Sequence, residues 1–393
     1  MTYNSIKDCD LAHKRVVLRA DLNVPVDDQK TVTDFTRIDR LKPTIDYLLK
    51  HHVKQIIILS HFGRPKGAPD PAFSLDFLLP PLAKHWGHEV IIATDYNVLA
   101  EDKIILLENT RFHTGEEKND PAFAKQLAGL GDIFVNDAFS AAHRAHASTE
   151  GIGHYLPSYA GLLMMEELDA LQKALETPKR PVMAIVGGSK ISTKLDLLNN
   201  LVQKVDMLFL AGGMANTFLL AQGHEVGGSL VEKDMCDTAL SILETAEGAG
   251  CRLLLPLDAV TDQRNKVDAT KVPATEKIFD VGPETVRLIS ELLNEVKTVV
   301  WNGPLGVFEQ TPFDVGTTAL TKAVAHATKH NNIISVAGGG DTVSALEHAG
   351  VKNDFTYIST AGGAFLEWLE GKTLPGVKIL EKGECRDNKT CCA

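Results

Sequence analysis

The chain is short of positive charge: 40 lysines and arginines stand against 51 aspartates and glutamates, a formal net charge of −11. Nucleic acid or an anionic membrane normally requires a broad basic surface that displaces counterions, so neither is an expected partner, and an anion site has to be built locally. Long apolar runs are also missing. No stretch of about 18 apolar residues appears, and the N-terminus MTYNSIKDCD lacks the basic, then apolar, then small-residue order of a secretory signal, so a cytoplasmic protein is expected. Cysteines are few and unpatterned: Cys9, Cys236, Cys251, Cys385, Cys391 and Cys392 include no CxxC pair of the zinc or redox kind, and free thiols are expected. The ending Cys391-Cys392-Ala393 does not meet the prenylation rule, which wants cysteine where Thr390 stands.

Two nucleotide-binding signatures are absent as well. Gly371-Lys372-Thr373 ends like a Walker A loop, but its first glycine would fall at Leu366. No strand is followed by G-x-G-x-x-G, which counts against a nicotinamide dehydrogenase.

What is present is the material of two α/β domains. A length of 393 residues exceeds the roughly 250 to 300 at which one hydrophobic core stops growing. Apolar residues at 44% and charged residues at 23% exclude the disordered and fibrous classes. Short β-branched runs alternate with helical patterns throughout, the mark of βαβ units with buried parallel strands, so the sheets are expected to be parallel. The first half offers strands at Val16–Ala20, Gln55–Leu59, Val90–Ile92, Ile104–Leu107 and Ile133–Val135. The second offers Val182–Val186, Met207–Leu210, Arg252–Leu255, Thr298–Trp301, Ile333–Val336 and Tyr357–Ser359. Between them Leu163, Met164, Leu168, Leu171 and Leu175 recur at helical spacing up to the break Thr177-Pro178-Lys179-Arg180-Pro181, which predicts a connecting helix over Leu162–Leu175. The polar tail after Leu380 is expected to be frayed.

Ligands of open α/β sheets bind at the carboxyl ends of the strands, and there the halves differ. The second half carries glycines: Gly187-Gly188, Gly212-Gly213, Asn302-Gly303-Pro304, Gly338-Gly339-Gly340-Asp341-Thr342 and Gly362-Gly363. Repeated glycine turns before helices form amide cradles suited to phosphates. Lys190 and Lys194, four apart, are expected on one face at the start of the helix after Gly187-Gly188, either as a solvated pair or as phosphate neutralisers; the adjacent diglycine favours the second. Asp341 either caps the helix Thr342–His348 or offers a carboxylate to Mg²⁺ on a nucleotide. The first half carries Arg37, His61, Arg64, Arg111, His143, Arg144 and His146 at strand ends or helix starts, a set that points to a small anion bearing both carboxylate and phosphate.

Arg19-Ala20-Asp21-Leu22-Asn23-Val24-Pro25, Ser60-His61-Phe62-Gly63-Arg64-Pro65, Leu107-Glu108-Asn109-Thr110-Arg111-Phe112 and Asp137-Ala138-Phe139-Ser140-Ala141-Ala142-His143-Arg144-Ala145-His146 resemble the phosphoglycerate kinase family. Gly187-Gly188-Ser189-Lys190, Gly212-Gly213-Met214-Ala215-Asn216-Thr217-Phe218, Asp280-Val281-Gly282-Pro283, Trp301-Asn302-Gly303-Pro304-Leu305-Gly306-Val307-Phe308-Glu309 and Gly338-Gly339-Gly340-Asp341-Thr342 follow in family order. The similarity runs from about Val16 to about Val377. It implies two doubly wound, Rossmann-like parallel-sheet domains joined by a hinge helix across a cleft: residues 1–170 for 3-phosphoglycerate, 171–372 for the Mg-nucleotide, and 373–393 returning to the first. It also implies a monomer.

The resemblance further implies that Asp21, Asn23, Arg37, His61, Arg64, Arg111 and Arg144 hold 3-phosphoglycerate. Lys194, Gly212 and Gly213 would meet the nucleotide phosphates, Gly282 and Asn302 would line the nucleoside pocket, and Glu309 would bind the ribose. Asp341 and Thr342, with Gly339 and Gly340, would organise Mg²⁺ and the phosphate chain of ATP or ADP. Arg37 and Lys190 are left to act on the transferring phosphoryl group. The implied reaction is reversible transfer between 1,3-bisphosphoglycerate and ADP, without a covalent intermediate; the alternative is a two-domain anion-binding protein without turnover. Two departures stand out: Ala361 and Ala211 occupy positions where the family usually begins a glycine run.

Overall fold

The computed structural model describes residues 2–94 and 103–382; Cys385, Cys391, Cys392 and the tail from residue 383 lie outside them. The chain divides into two compact units, one formed by Met1–Leu168 with Thr373–Ala393 and the other by Asp169–Lys372.

The strands of the first unit are β1 (Arg15–Arg19), β2 (Gln55–Leu59), β3 (Ile91–Ala93), β4 (Ile104–Leu107), β5 (Ile133–Asn136) and β6 (Ser158–Ala160). They form one sheet in the order β3-β4-β2-β1-β5-β6, every pair parallel. Successive side chains of a strand point to opposite faces, and both faces are packed. Val16, Leu18, Ile56, Ile58 and Leu106 enter one core, with Ile38, Leu41, Ile45 and Leu48 of the helix Thr36–Lys50. Val17, Ile57, Leu59, Ile105 and Phe134 enter the other, with Phe123 and Leu127 of the helix Pro121–Ala128. That second helix starts where it does because Asp120 accepts from the Phe123 amide and Pro121 occupies the first turn.

The second unit contains β7 (Val182–Val186), β8 (Met207–Leu210), β9 (Glu225–Val226), β10 (Arg252–Leu254), β11 (Asp258–Thr261), β12 (Lys266–Asp268), β13 (Lys271–Val272), β14 (Ile278–Val281), β15 (Thr298–Asn302), β16 (Ile334–Gly338) and β17 (Tyr357–Ser359). Its main sheet runs β10-β8-β7-β15-β16-β17, again all parallel. The expectation of parallel sheets alone needs one correction: β12-β11-β14 is a separate antiparallel sheet, with β9 and β13 paired beside it.

Each six-stranded order reverses direction once, between β1 and β5 in the first unit and between β7 and β15 in the second. Connections leave in opposite directions at such a point and open a crevice beyond the strand ends. The connecting segment is the helix Leu162–Leu171 followed by one wider turn, Gln172–Glu176. Beyond Thr373 the chain rejoins the first unit, where the Gly376 amide donates to Ala142 O at 2.8 Å and Asn136 Nδ2 donates to Gly376 O at 2.9 Å.

Candidate functional site

In the first unit the β1–β5 crevice collects basic groups from four segments. Asp21, just past β1, accepts from Arg37 Nη1 at the start of the helix Thr36–Lys50 and from Ser140 Oγ beyond β5. Its other oxygen accepts from the Asn23 amide at 3.1 Å, and Asn23 Oδ1 accepts from the Gly63 amide at 2.9 Å, which ties the β1 turn to the β2 turn carrying His61 and Arg64. Arg111 follows β4; its Nη1 donates to Gly63 O at 2.7 Å and its Nε lies 3.1 Å from Glu117. Among the described residues the Arg144 side chain hydrogen-bonds its neighbour His143 alone, at 3.1 Å, and no carboxylate pairs with Arg144 or Arg64.

The pKa values of the groups there shift accordingly. Burial, then the Arg19 guanidinium, hold the His61 imidazole well below its usual value, and Arg111 and Arg144 push the same way against Asp21. His146 falls to about 4 through burial and then Arg111, Arg19 and Arg144. Burial is likewise the first cause of the lowered Arg111 value, with Arg144 and Arg64 as like-charged neighbours. All seven residues expected around the acid are thus brought together. Arg19, Ser140 and His146 also stand there.

In the second unit the ends of β7 and β15 nearly touch. A Cβ on Gly187 would lie 1.8 Å from Pro304 O, so only glycine permits this approach. Lys194 Nζ donates to Gly187 O at 2.8 Å and to Asn302 Oδ1 at 2.5 Å, Asn302 Nδ2 donates to Gly338 O, and Thr342 Oγ1 accepts from the Gly303 amide at 2.7 Å. These residues lace β7, β15 and β16 together behind a cavity of about 520 Å³. Burial lowers Lys194 to about 8, and Asp341 opposes that shift.

Gly212, Gly213, Glu309 and Asp341 line the cavity. Gly339 packs against the Asn302 amide, and Gly340 begins the helix Gly340–His348. The Asp341 side chain is exposed on the first turn of that helix and has no hydrogen bond or ion pair among the described residues, so its carboxylate is open to a ligand. Gly282 is not among the residues lining this cavity; its Cα faces the Asp258 carboxylate at the start of the helix Pro283–Leu292. Lys190 and Lys194 do not share a helical face, because the helix begins only at Leu195 and Lys194 folds back onto Gly187 and Asn302, leaving Lys190 exposed in the preceding turn. The two alanines fit without strain. Ala211 is extended at φ −140° and the left-handed turn falls on Gly212 at φ +71°; likewise Gly362, not Ala361, takes positive φ.

Asn216, Leu230, Lys277 and Phe279 also line the cavity and were not singled out from sequence. Beneath its wall Asp280 is buried, accepting from the Gly316 and Val281 amides, and burial followed by Asp314 leaves its carboxyl raised to about 7. Its raised folded value means the folded state binds the proton more tightly, so this contribution to stability is lost as pH rises from about 4 to about 7. Asp280→Asn is therefore expected to flatten that part of the stability–pH curve in denaturant titrations; an unchanged slope would remove Asp280 as its cause.

Residues 6–372 match the family model for phosphoglycerate kinase. The chain belongs to the phosphoglycerate kinase family. It is 56% identical to the phosphoglycerate kinase of Rhodospirillum centenum and 55% identical to that of Sinorhizobium fredii, in both cases over 97% of this chain and 100% of the relative. Among solved structures, phosphoglycerate kinase from Coxiella burnetii matches with TM-score 0.92 at 43% identity, over 96% of this chain and 99% of that one. The Pyrococcus horikoshii enzyme matches at TM-score 0.77 and 28% identity, over 96% and 98%. Among the described residues no helix is long and apolar enough to cross a membrane, and no three His, Cys, Asp or Glu residues converge as a metal cage.

Proposed function

We propose that this protein catalyses reversible phosphoryl transfer between 1,3-bisphosphoglycerate and ADP, giving 3-phosphoglycerate and ATP, as a cytoplasmic monomer acting on small molecules alone. Beyond family membership, the observation that carries the reading is the first unit's crevice, where Arg64 and Arg144 pair with no carboxylate among the described residues and two histidines are held neutral by burial and then by neighbouring guanidinium groups. Asp21, Asn23, Arg37, His61, Arg64, Arg111 and Arg144 hold the acid. The nucleotide occupies the second unit's cavity, with Glu309 on the ribose and the Gly212 and Gly213 amides near the phosphates. Lys194 has spent two of its three protons on Gly187 and Asn302, which leaves one for a phosphate oxygen.

Mg²⁺ fits the residues present. It takes one or two protein carboxylates and fills its shell with phosphate oxygens and water, and Asp341 supplies one such carboxylate on the cavity wall. Bound there, it would neutralise phosphate charge.

The acceptor is a carboxylate that carries no proton near neutrality, so its attack needs no general base. The transition state is loose, and the work is alignment plus neutralisation of the equatorial oxygens, assigned to Arg37 and Lys190. The two substrates are held by different units, so transfer follows a closure that excludes water.

ATP consumption that depends on 3-phosphoglycerate and Mg²⁺ in a coupled assay tests this; acid binding without turnover would return the non-catalytic reading. Arg64→Ala, Arg111→Ala and Arg144→Ala are each expected to raise KM for the acid more than they lower kcat, since each contact is made in ground and transition states alike. A lost charge-assisted contact costs about 1.5 to 3 kcal/mol. Steady-state kinetics read the split, and an unchanged KM would remove that arginine from the site.

A further inference from the structure

Arg19 closes β1 and is 1% exposed, an unusual setting for a guanidinium. Its partners come from several segments. Nε donates to Ser148 Oγ at 2.9 Å, Nη1 donates to Ala20 O, and Nη2 lies 3.0 Å from His61 Nδ1. Ser148 in turn donates to buried Glu116 Oε1 at 2.6 Å, and Glu116 supplies the countercharge that favours the Arg19 cation. The guanidinium is thus held at each of its three nitrogens and is not free to swing toward a ligand.

A guanidinium has five N–H donors and no acceptor, so the contact with His61 has one polarity. Nδ1 must carry the lone pair, and the single proton of the neutral ring must sit on Nε2. We infer that Arg19 is a positioning residue that locks His61 as the neutral Nε2–H tautomer, so that the acid meets a fixed hydrogen-bond donor rather than a titrating imidazolium. Protonating Nδ1 would set two donors face to face. Arg111 after β4 and Arg144 beyond β5 add like charge, and Asp21 beyond β1 is the one group pulling the other way. His61 Nε2 has no hydrogen-bond partner among the described residues, which leaves it available to a ligand. The tautomer lock follows from Arg19 alone; its consequence for the acid rests on the reading that this unit binds 3-phosphoglycerate.

The experiment is long-range ¹⁵N–¹H correlation of the ¹⁵N-histidine-labelled full chain, with His61 assigned by its loss in His61→Gln. The wild type is expected to show the Nε2–H pattern and no titration near 6.5, the ordinary histidine value. Arg19→Met removes the donor and should give mixed tautomers titrating near that value, with KM for 3-phosphoglycerate rising about tenfold and kcat changing much less. Arg19→Lys keeps a donor-only group and should retain the Nε2–H form. The acid's own phosphate titrates near 6 in every variant, so KM profiles are compared as ratios to wild type. An Nδ1–H or imidazolium pattern in the wild type at pH 6.5 overturns the inference, and this needs no variant to fold. So does an unchanged pattern in Arg19→Met. Released tautomers with unchanged KM would sustain the lock and overturn instead the placing of the acid against His61.

Discussion

Asp341→Ala is expected to lower turnover by about a hundredfold or more while leaving 3-phosphoglycerate affinity close to wild type. The magnitude follows from removing a preorganised charge at a phosphoryl-transfer site, where single electrostatic contacts are worth about 10² to 10³ in rate. The selectivity follows from location: Asp341 lies in the second unit, on the helix Gly340–His348, and the acid residues lie in the first. The Asp341 side chain is exposed and makes no hydrogen bond or ion pair among the described residues, so truncation is expected to leave the fold intact. Lys194 offers an independent readout, because Asp341 works against the lowering of its pKa, and the variant should push that value below about 8. Calorimetry with 3-phosphoglycerate and with ATP, each with and without Mg²⁺, separates the effects. Loss of acid binding in a folded variant would contradict the division of labour, and an unaltered Mg²⁺ dependence of ATP binding would remove Asp341 from the metal.

The parallel strands were legible because their signal is dense: β2 is Gln-Ile-Ile-Ile-Leu and buried throughout, and every strand read in the sequence lies in one of the two main sheets. β6, Ser158–Ala160, has no β-branched residue and passed unnoticed. The antiparallel sheet was missed for a related reason. Its strands are short, and β12 alternates exposed with half-buried residues, so no apolar run announces it. That omission hid part of the site, since Lys277, Ile278 and Phe279 at and before β14 form one wall of the cavity.

The charged site residues were legible from motif order, yet their roles depend on contacts across the fold. Lys194 meets Asn302 only because β7 pairs with β15, across 108 residues of sequence. Arg19 lies in the first of the family motifs without a role of its own, because its contact with His61 exists only through its burial in the fold, which an arginine in a sequence does not advertise.

Arg37→Ala is expected to lower kcat by about 10³, the lower part of the range over which arginine fingers act, because Lys190 shares the neutralisation. In this structure Arg37 is held by Asp21, and Asp21 is itself held by Ser140 and the Asn23 amide. Burial works against the Asp21 charge, and Arg37 is the first of the groups that keep its carboxyl below the usual range. The guanidinium side chain is 31% exposed, so it reaches solvent while anchored at one nitrogen, which leaves the rest of its fork for a ligand. Arg37→Lys should therefore recover little: lysine keeps the charge but cannot hold Asp21 and touch the equatorial oxygens at once. Asp21→Asn is the complementary variant. It keeps the side-chain volume and removes the countercharge, so Arg37 should lose its orientation and kcat should fall by less than in Arg37→Ala. Steady-state rates at saturating substrates, with circular dichroism as a folding control, decide among these outcomes. Near wild-type kcat in Arg37→Lys would mean that a point charge suffices, and near wild-type kcat in Arg37→Ala would exclude Arg37 from the chemistry.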